Sequence, residues 1–264
     1  MARIIAVTNQ KGGVGKTTSC INLAAALAMA RRRVLLIDLD PQGNATMGSG
    51  VDKHAVEYSS CDVLLDEIDI EQAIITSTAA GYDVLPGNSD LTAAEVELLK
   101  TPDGGQRLRA ALTRIVDRYD HILIDCPPSL NMLTINALTA AHGVLIPMQC
   151  EYYALEGLSA LVDTISQIQQ SVNPGLVIEG LLRTMFDARN NLAMQVSEQL
   201  IEHFGDQVYR TIIPRNVRLA EAPSHGLPVL KYDKTSRGAI AYLALAGELV
   251  RREQDRAQAA EAVI

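Results

Sequence analysis

The sequence predicts an α/β fold, a doubly wound, mostly parallel sheet flanked by helices, and three observations carry that prediction. Short apolar, β-rich runs alternate with helical stretches along most of the chain. Such βα alternation implies parallel strands joined by right-handed crossovers. Only 4% of the 264 residues are aromatic and none is Trp, so the core must be built from the Ala, Val, Ile and Leu that helix-covered parallel strands bury.

Taken in order, residues 3–8 read as the first strand and 16–30 as its helix. Residues 34–38 read as the second strand. The run 82–85 precedes a helical stretch at 104–118, 121–125 precedes 130–141, 144–147 precedes 154–170, and 176–182 precedes 192–204. A last helix starts at residue 236 and ends near 252. The remaining residues 253–264 carry charge on all sides and are expected to fray. Neither repeats nor linkers rich in Pro, Gly or Ser divide the sequence, so one domain over residues 1–252 with a polar tail at 253–264 is expected.

Composition narrows the function. The longest nearly uninterrupted apolar stretch, residues 20–30, contains Asn22 and is too short to cross a bilayer. The N-terminus runs straight into a strand rather than a signal peptide, so a cytoplasmic location with no membrane partner is expected. Cys20, Cys61, Cys126 and Cys150 are scattered and read as buried reduced thiols. A net charge of −8 argues at first against nucleic acid. The charge is uneven, however. Residues 51–103 hold twelve acids against two lysines, a local −10, whereas residues 209–238 hold six cations against two acids, a local +4. A basic surface is therefore possible on an acidic protein.

Immediately after the first strand comes Gln10-Lys11-Gly12-Gly13-Val14-Gly15-Lys16-Thr17-Thr18, then a helix. Glycines let backbone N–H groups turn inward around phosphate oxygens, and the helix start adds its positive dipole end. Lys16 would reach the β- and γ-phosphates of ATP, and the Thr17 hydroxyl would hold Mg²⁺. The loop departs from the ordinary phosphate-loop pattern, because Gln10 replaces its first glycine and Lys11 adds a second cation. The second strand ends in Asp38-Leu39-Asp40, placing two carboxylates at the sheet edge where ligands bind. A third apolar strand ends in Asp125, the form of a carboxylate that holds Mg²⁺ through water.

The stretch Lys11 to Thr18 resembles the deviant Walker-A motif shared by ParA and MinD proteins and the nitrogenase iron protein. That resemblance implies an ATP-sandwiched homodimer in which Lys11 reaches into the partner's site, while Asp40 positions the attacking water and Asp38 supports the metal environment. Beyond the loop, Asp38-Leu39-Asp40-Pro41-Gln42-Gly43-Asn44-Ala45-Thr46, Asp125-Cys126-Pro127-Pro128-Ser129, Gln149-Cys150-Glu151-Tyr152-Tyr153-Ala154-Leu155-Glu156-Gly157, Met185-Phe186-Asp187-Ala188-Arg189 and Ile213-Pro214-Arg215-Asn216-Val217-Arg218 through Glu221-Ala222-Pro223-Ser224-His225-Gly226 look characteristic of ParA/Soj partitioning proteins. With its loop near residue 10, the chain resembles their short, chromosomal kind.

The resemblance implies an ATPase switch. The ATP-bound dimer would grip double-stranded DNA without sequence preference, and slow hydrolysis stimulated by a ParB-type partner would release it. It places Arg189 and Arg218 on the DNA surface. Arg215, Lys234 and Arg237 extend that candidate surface, and Arg183, standing where the family carries an apolar residue, reads either as an extra DNA contact or as a local idiosyncrasy. Met185, Pro214 and Asn216 would meet the adenine, and His225 reads as structural. A MinD-like membrane-positioning ATPase is the competing reading, but the 253–264 tail lacks that family's basic amphipathic character. A ParA-like cargo positioner or regulator would share every motif.

Overall fold

The computed structural model describes residues 2–152 and 154–261. Tyr153, within the family-like 149–157 stretch, and residues 262–264 of the expected tail lie outside the described residues. The sheet has seven strands: β1 (Arg3–Val7), β2 (Val34–Asp38), β3 (Ile75–Ser77), β4 (Tyr82–Leu85), β5 (His121–Asp125), β6 (Gly143–Met148) and β7 (Val177–Arg183). Their spatial order is β3-β4-β2-β5-β1-β6-β7, and only the β3–β4 pair is antiparallel.

Alternation along the central strands splits the core into two layers. Ile4 and Ala6 of β1 and Leu35 and Ile37 of β2 pack on one face with side chains from helices Leu91–Lys100, Met132–Ala140, Ala154–Ser171 and Asn191–Phe204. Ile5, Val7, Val34 and Leu36 pack on the other with helices Lys16–Met29 and Arg237–Glu261, including the buried Tyr242. Strands buried on both faces need continuous apolar sequence, and this is why their runs could be read directly.

The chain reverses direction across the sheet at β1. The connection leaving β1 leads toward β2 on one side, whereas the connection leaving β5 passes β1 to reach β6 on the other. Ligands of open α/β sheets bind at such a reversal, outside the carboxyl ends of the strands. Register brings the critical residues there: Val7 and Asp38 both pair with Asp125, so the two aspartates stand side by side on β2 and β5.

Several elements differ from the sequence reading: the short helices Asn44–Gly48, Ser60–Leu64, Ile70–Ala73, Val217–Glu221 and Val229–Tyr232 were not expected, and the expected helix at 104–118 is α-helical only at Arg107–Leu112. Helix Leu91–Lys100 was not expected, because it buries only Leu91, Ala94 and Leu98 and leaves Val96 and Leu99 exposed. The three-residue β3 is an edge strand with too little apolar pattern to register. The C-terminal helix continues to Glu261 instead of fraying after residue 252. His121 Nε2 lies 3.0 Å from a Glu253 oxygen, and the Arg256 guanidinium donates to the buried Glu179 at 2.8 Å. Arg3 donates to the same Glu179 oxygen at 2.6 Å. These anchors come from distant strands, so the polar tail sequence does not announce them. No helix among the described residues is long and apolar enough to cross a membrane. All four cysteines are free and buried.

Candidate nucleotide site and basic surface

The glycine-rich loop leaves β1 and is pinned from outside. Asn9 donates from Nδ2 to the Pro147 carbonyl at 2.9 Å, and its Oδ1 accepts from the Lys11 amide at 3.0 Å. The Thr184 hydroxyl, just beyond β7, donates to the Val14 carbonyl at 2.7 Å. Gly13 and Gly15 have φ of 73° and 88°, in the left-handed region that glycine enters without steric cost. Gly15 then caps helix Lys16–Met29 with no side-chain acceptor, leaving the first N–H groups of that helix for an anion.

The two loop lysines take different directions. Lys16 is 7% exposed, and its Nζ donates to the Lys11 carbonyl at 3.2 Å. Burial lowers its pKa, with the negative charges of Asp125 and Asp40 among the opposing influences. Lys11 instead carries its ammonium to the rim, where it pairs with Glu151 at 2.5 Å and both side chains are about half exposed. Exposed pairs contribute about 0–1 kcal/mol, so exchanging Glu151 for a phosphate costs little.

The carboxylates divide their roles. Asp125 is fully buried; its Oδ1 accepts from the Cys20 thiol at 3.5 Å, while its Oδ2 has no partner. Burial and the neighbouring Asp38 push its pKa well up, against the pull of Thr17 and Cys20. An unpaired buried carboxylate oxygen beside the Thr17 hydroxyl fits a hydrated divalent cation. Asp38 is also fully buried, and burial raises its pKa to about 6. Its bonds differ from those of a direct metal ligand. Oδ2 accepts from the Thr46 amide at 2.8 Å and hydroxyl at 2.7 Å, and Oδ1 accepts from the Asp40 amide at 3.1 Å. Asp38 therefore spends its carboxylate on holding the 40–46 segment. Asp40 is partly exposed, and its Oδ1 accepts from the Gln42 amide at 2.9 Å.

Thr46 belongs to helix Asn44–Gly48, which leads into a close backbone contact. A Cβ on Gly50 would lie 2.9 Å from the Gly226 carbonyl oxygen, and one on Gly226 would lie 3.2 Å from Gly50 Cα. Gly226 ends the turn that follows helix Val217–Glu221, which carries Arg218.

The residues expected around the base are gathered by backbone pairing. The Phe186 amide donates to the Ile213 carbonyl at 3.1 Å, pairing Phe186 with Pro214 and setting Met185 next to that bridge. Met185 has φ of 48°, and its sulfur lies 2.9 Å from Gln149 Nε2. Asn216 caps helix Val217–Glu221, its Oδ1 accepting from the Arg218 amide at 3.0 Å while its NH₂ group donates to none of the described residues. Thr184 touches the phosphate loop and precedes Met185, so the two halves of the site adjoin.

Of the expected DNA contacts, Arg189, Arg215, Arg218, Lys234 and Arg237 are exposed. Arg183 is not. It is 6% exposed, donating to the Ser197 hydroxyl at 2.8 Å and the Tyr209 carbonyl at 2.8 Å. Its position at the end of β7, under helix Asn191–Phe204, turns it inward, so the sequence-based assignment to the DNA surface is corrected to an internal clamp. Arg183→Ala is expected to cost about 2–4 kcal/mol of stability in urea unfolding, leaving buried acceptors unpaired and a cavity. DNA affinity of the folded variant should be unchanged. His225 stacks on Tyr232 with ring centroids 4.9 Å apart.

Sequence reasoning missed Asn9, Thr184 and Glu151 as supports of the loop. A doubly wound sheet, a glycine loop entering a helix, a buried lysine and paired strand-end aspartates together define a P-loop nucleoside-triphosphatase. A family model described as an AAA domain matches residues 2–178. The sporulation initiation inhibitor protein Soj of Bacillus subtilis is 55% identical over 94% of this chain and 98% of its own length. The chromosome partitioning protein ParA of Caulobacter vibrioides is 50% identical over 96% of each chain. A crystal structure from Mycobacterium smegmatis, described as cobyrinic acid a,c-diamide synthase with bound ADP and magnesium, is 38% identical. It superposes with a TM-score of 0.85 over 96% of each chain. The chain belongs to the ParA/Soj family of chromosome-partitioning ATPases.

Proposed function

We propose that this ATPase is a DNA-partitioning switch, in which ATP closes a homodimer, the dimer holds DNA regardless of sequence, and hydrolysis lets go. The observation that carries the reading is the divergence of the two loop lysines. Lys16 is buried in its own protomer's site, whereas Lys11 stands exposed in a surface pair with Glu151 that a phosphate of a second copy's nucleotide could replace. Phosphoryl transfer is accelerated by cationic charge on the transferring group, and a residue supplied across an interface makes that acceleration depend on assembly.

Within each site, the loop amides and Lys16 bind the β- and γ-phosphates. Thr17 and the unpaired Asp125 oxygen would hold Mg²⁺, with Asp38 adding negative charge beside them. When bound, that cation neutralises charge on the phosphate oxygens. Asp40 orients the attacking water, and Met185, Pro214 and Asn216 border the base. Arg189 and Arg218, with Arg215, Lys234 and Arg237, neutralise DNA phosphates without reading bases. A ParB-type partner stimulates hydrolysis, and the protein acts in the cytoplasm on the nucleoid.

DNA binding measured with ATP, ADP or no nucleotide at 50 and 200 mM salt tests the proposal. Tight binding is expected with ATP alone, and it should fall about 100-fold between the two salts if roughly four phosphates are neutralised. Equal binding in all three nucleotide conditions would overturn it. Arg218→Glu should weaken binding to unrelated sequences alike, by about ten-fold or more, while sparing ATP affinity. Wild-type DNA affinity in this variant would remove Arg218 from the surface.

A further inference from the structure

Both arginines at the centre of the proposed DNA surface already have carboxylate partners within their own protomer. Arg189 extends almost fully into solvent, its side chain 90% exposed, yet it is clamped by Asp187 in bidentate fashion. Nε donates to Oδ1 at 2.9 Å and an Nη donates to Oδ2 at 2.7 Å. This is the planar fork geometry in which Arg otherwise grips a phosphate. Arg218 donates to Glu221 at 2.7 Å, and its Nε lies 3.5 Å from Asp233. The bonds from Arg189 hold the Asp187 carboxyl well below the usual carboxylate range, so it stays charged at any physiological pH.

We propose that Asp187 and Glu221 are built-in competitors of the DNA backbone, which set the affinity of each protomer low enough that only a doubled surface binds. The inference rests on the DNA surface proposed above. For Arg189 to grip a phosphate through the same Nε/Nη edge, Asp187 must be displaced, and a phosphate bound through the remaining Nη hydrogens would lie close to the Asp187 charge. Arg218 likewise presents its free hydrogens between two carboxylates, Glu221 and Asp233, which a DNA phosphate would have to approach. A single protomer thus offers arginines whose charge is locally cancelled. Two protomers joined through ATP offer twice the number of contacts to one duplex, and the free energies add along it. The competitors make DNA retention contingent on the dimer, and they make release prompt once the dimer parts.

The test uses the full chain with a non-hydrolysable ATP analogue and random-sequence duplex DNA. Asp187→Asn removes the charge but keeps an oxygen for the Arg189 amide, which now donates to Asp187 Oδ1 at 3.0 Å. From the usual strength of exposed ion pairs, about three-fold tighter binding is expected per freed arginine, hence about ten-fold for a dimer. Glu221→Gln should gain less, because Asp233 remains against Arg218. Glu202→Gln, an exposed acid on helix Asn191–Phe204, makes the same change in net charge and serves as control.

A double-mutant cycle separates direct competition from general charge. In an Arg189→Ala background, Asp187→Asn is expected to give no more gain than the control. If Asp187→Asn gains no more than Glu202→Gln in the wild-type background, or gains equally with and without Arg189, the competitor role is overturned. If Arg189→Ala and Arg218→Ala themselves leave DNA affinity unchanged, the surface assignment fails instead, and the inference falls with it.

Discussion

Lys16→Ala is expected to abolish ATP-dependent dimerisation and to weaken ATP binding by about 100-fold, the scale of losing a buried charge-assisted contact to a phosphate. Lys16 has 7% of its surface exposed, and its ammonium is the one loop cation inside its own protomer's pocket. Protein stability should move the other way. Burial lowers the Lys16 pKa in the folded chain, so its charged form is disfavoured there relative to the unfolded chain. A base whose folded pKa is depressed subtracts stability below its unfolded pKa, and alanine removes that deficit. The variant should unfold at an equal or higher temperature than wild type without nucleotide and lose the upward shift that ATP gives. Titration calorimetry and sedimentation with a non-hydrolysable analogue read the two effects. Undiminished dimerisation would remove Lys16 from the phosphates.

Asp40→Ala should leave ATP binding and dimerisation intact while lowering phosphate release by about 100-fold or more, as expected when the group that orients an attacking water is lost. The result would be a dimer that stays on DNA long after wild type has left. Asp40 also accepts from the Gln42 amide, so alanine loosens that turn as well as removing the carboxylate. Asp40→Asn retains an acceptor and isolates the chemical role. Both variants should fail alike in single-turnover phosphate release. Normal turnover in Asp40→Asn would assign the residue to the turn alone.

What the sequence made legible follows from where the information lies. The phosphate loop is contiguous, so residues 10–18 displayed it whole. Asp38 and Asp125 were legible because each ends a strand buried on both faces, and an apolar run stopping at a carboxylate marks the sheet edge. Their abutment was not, since it depends on β5 inserting between β1 and β2. Thr184 supports the loop from 170 positions away, and Glu151 meets Lys11 across 140, separations at which sequence pattern carries nothing. Arg183 misled for a physical reason. A cation at a strand end reads as solvated, yet the Tyr209 carbonyl and Ser197 hydroxyl supply an interior that accepts a guanidinium. The C-terminal tail erred in the same direction, because its polar residues find partners in Glu179 and His121 that belong to other strands.

The contact between Gly50 and Gly226 bears on how news of the acidic row reaches the arginines. Thr46 is moored to Asp38 at one end of a short rod, and at the other end main chain meets main chain with no room for even a methyl group. Side chains in a joint absorb displacement by changing rotamer, but this joint has none to change. It has no play. A methyl group at Gly50 would meet the Gly226 carbonyl oxygen at 2.9 Å and Ala79 Cβ at 2.8 Å, so Gly50→Ala is expected to push the turn behind Arg218 away from the segment that Asp38 holds.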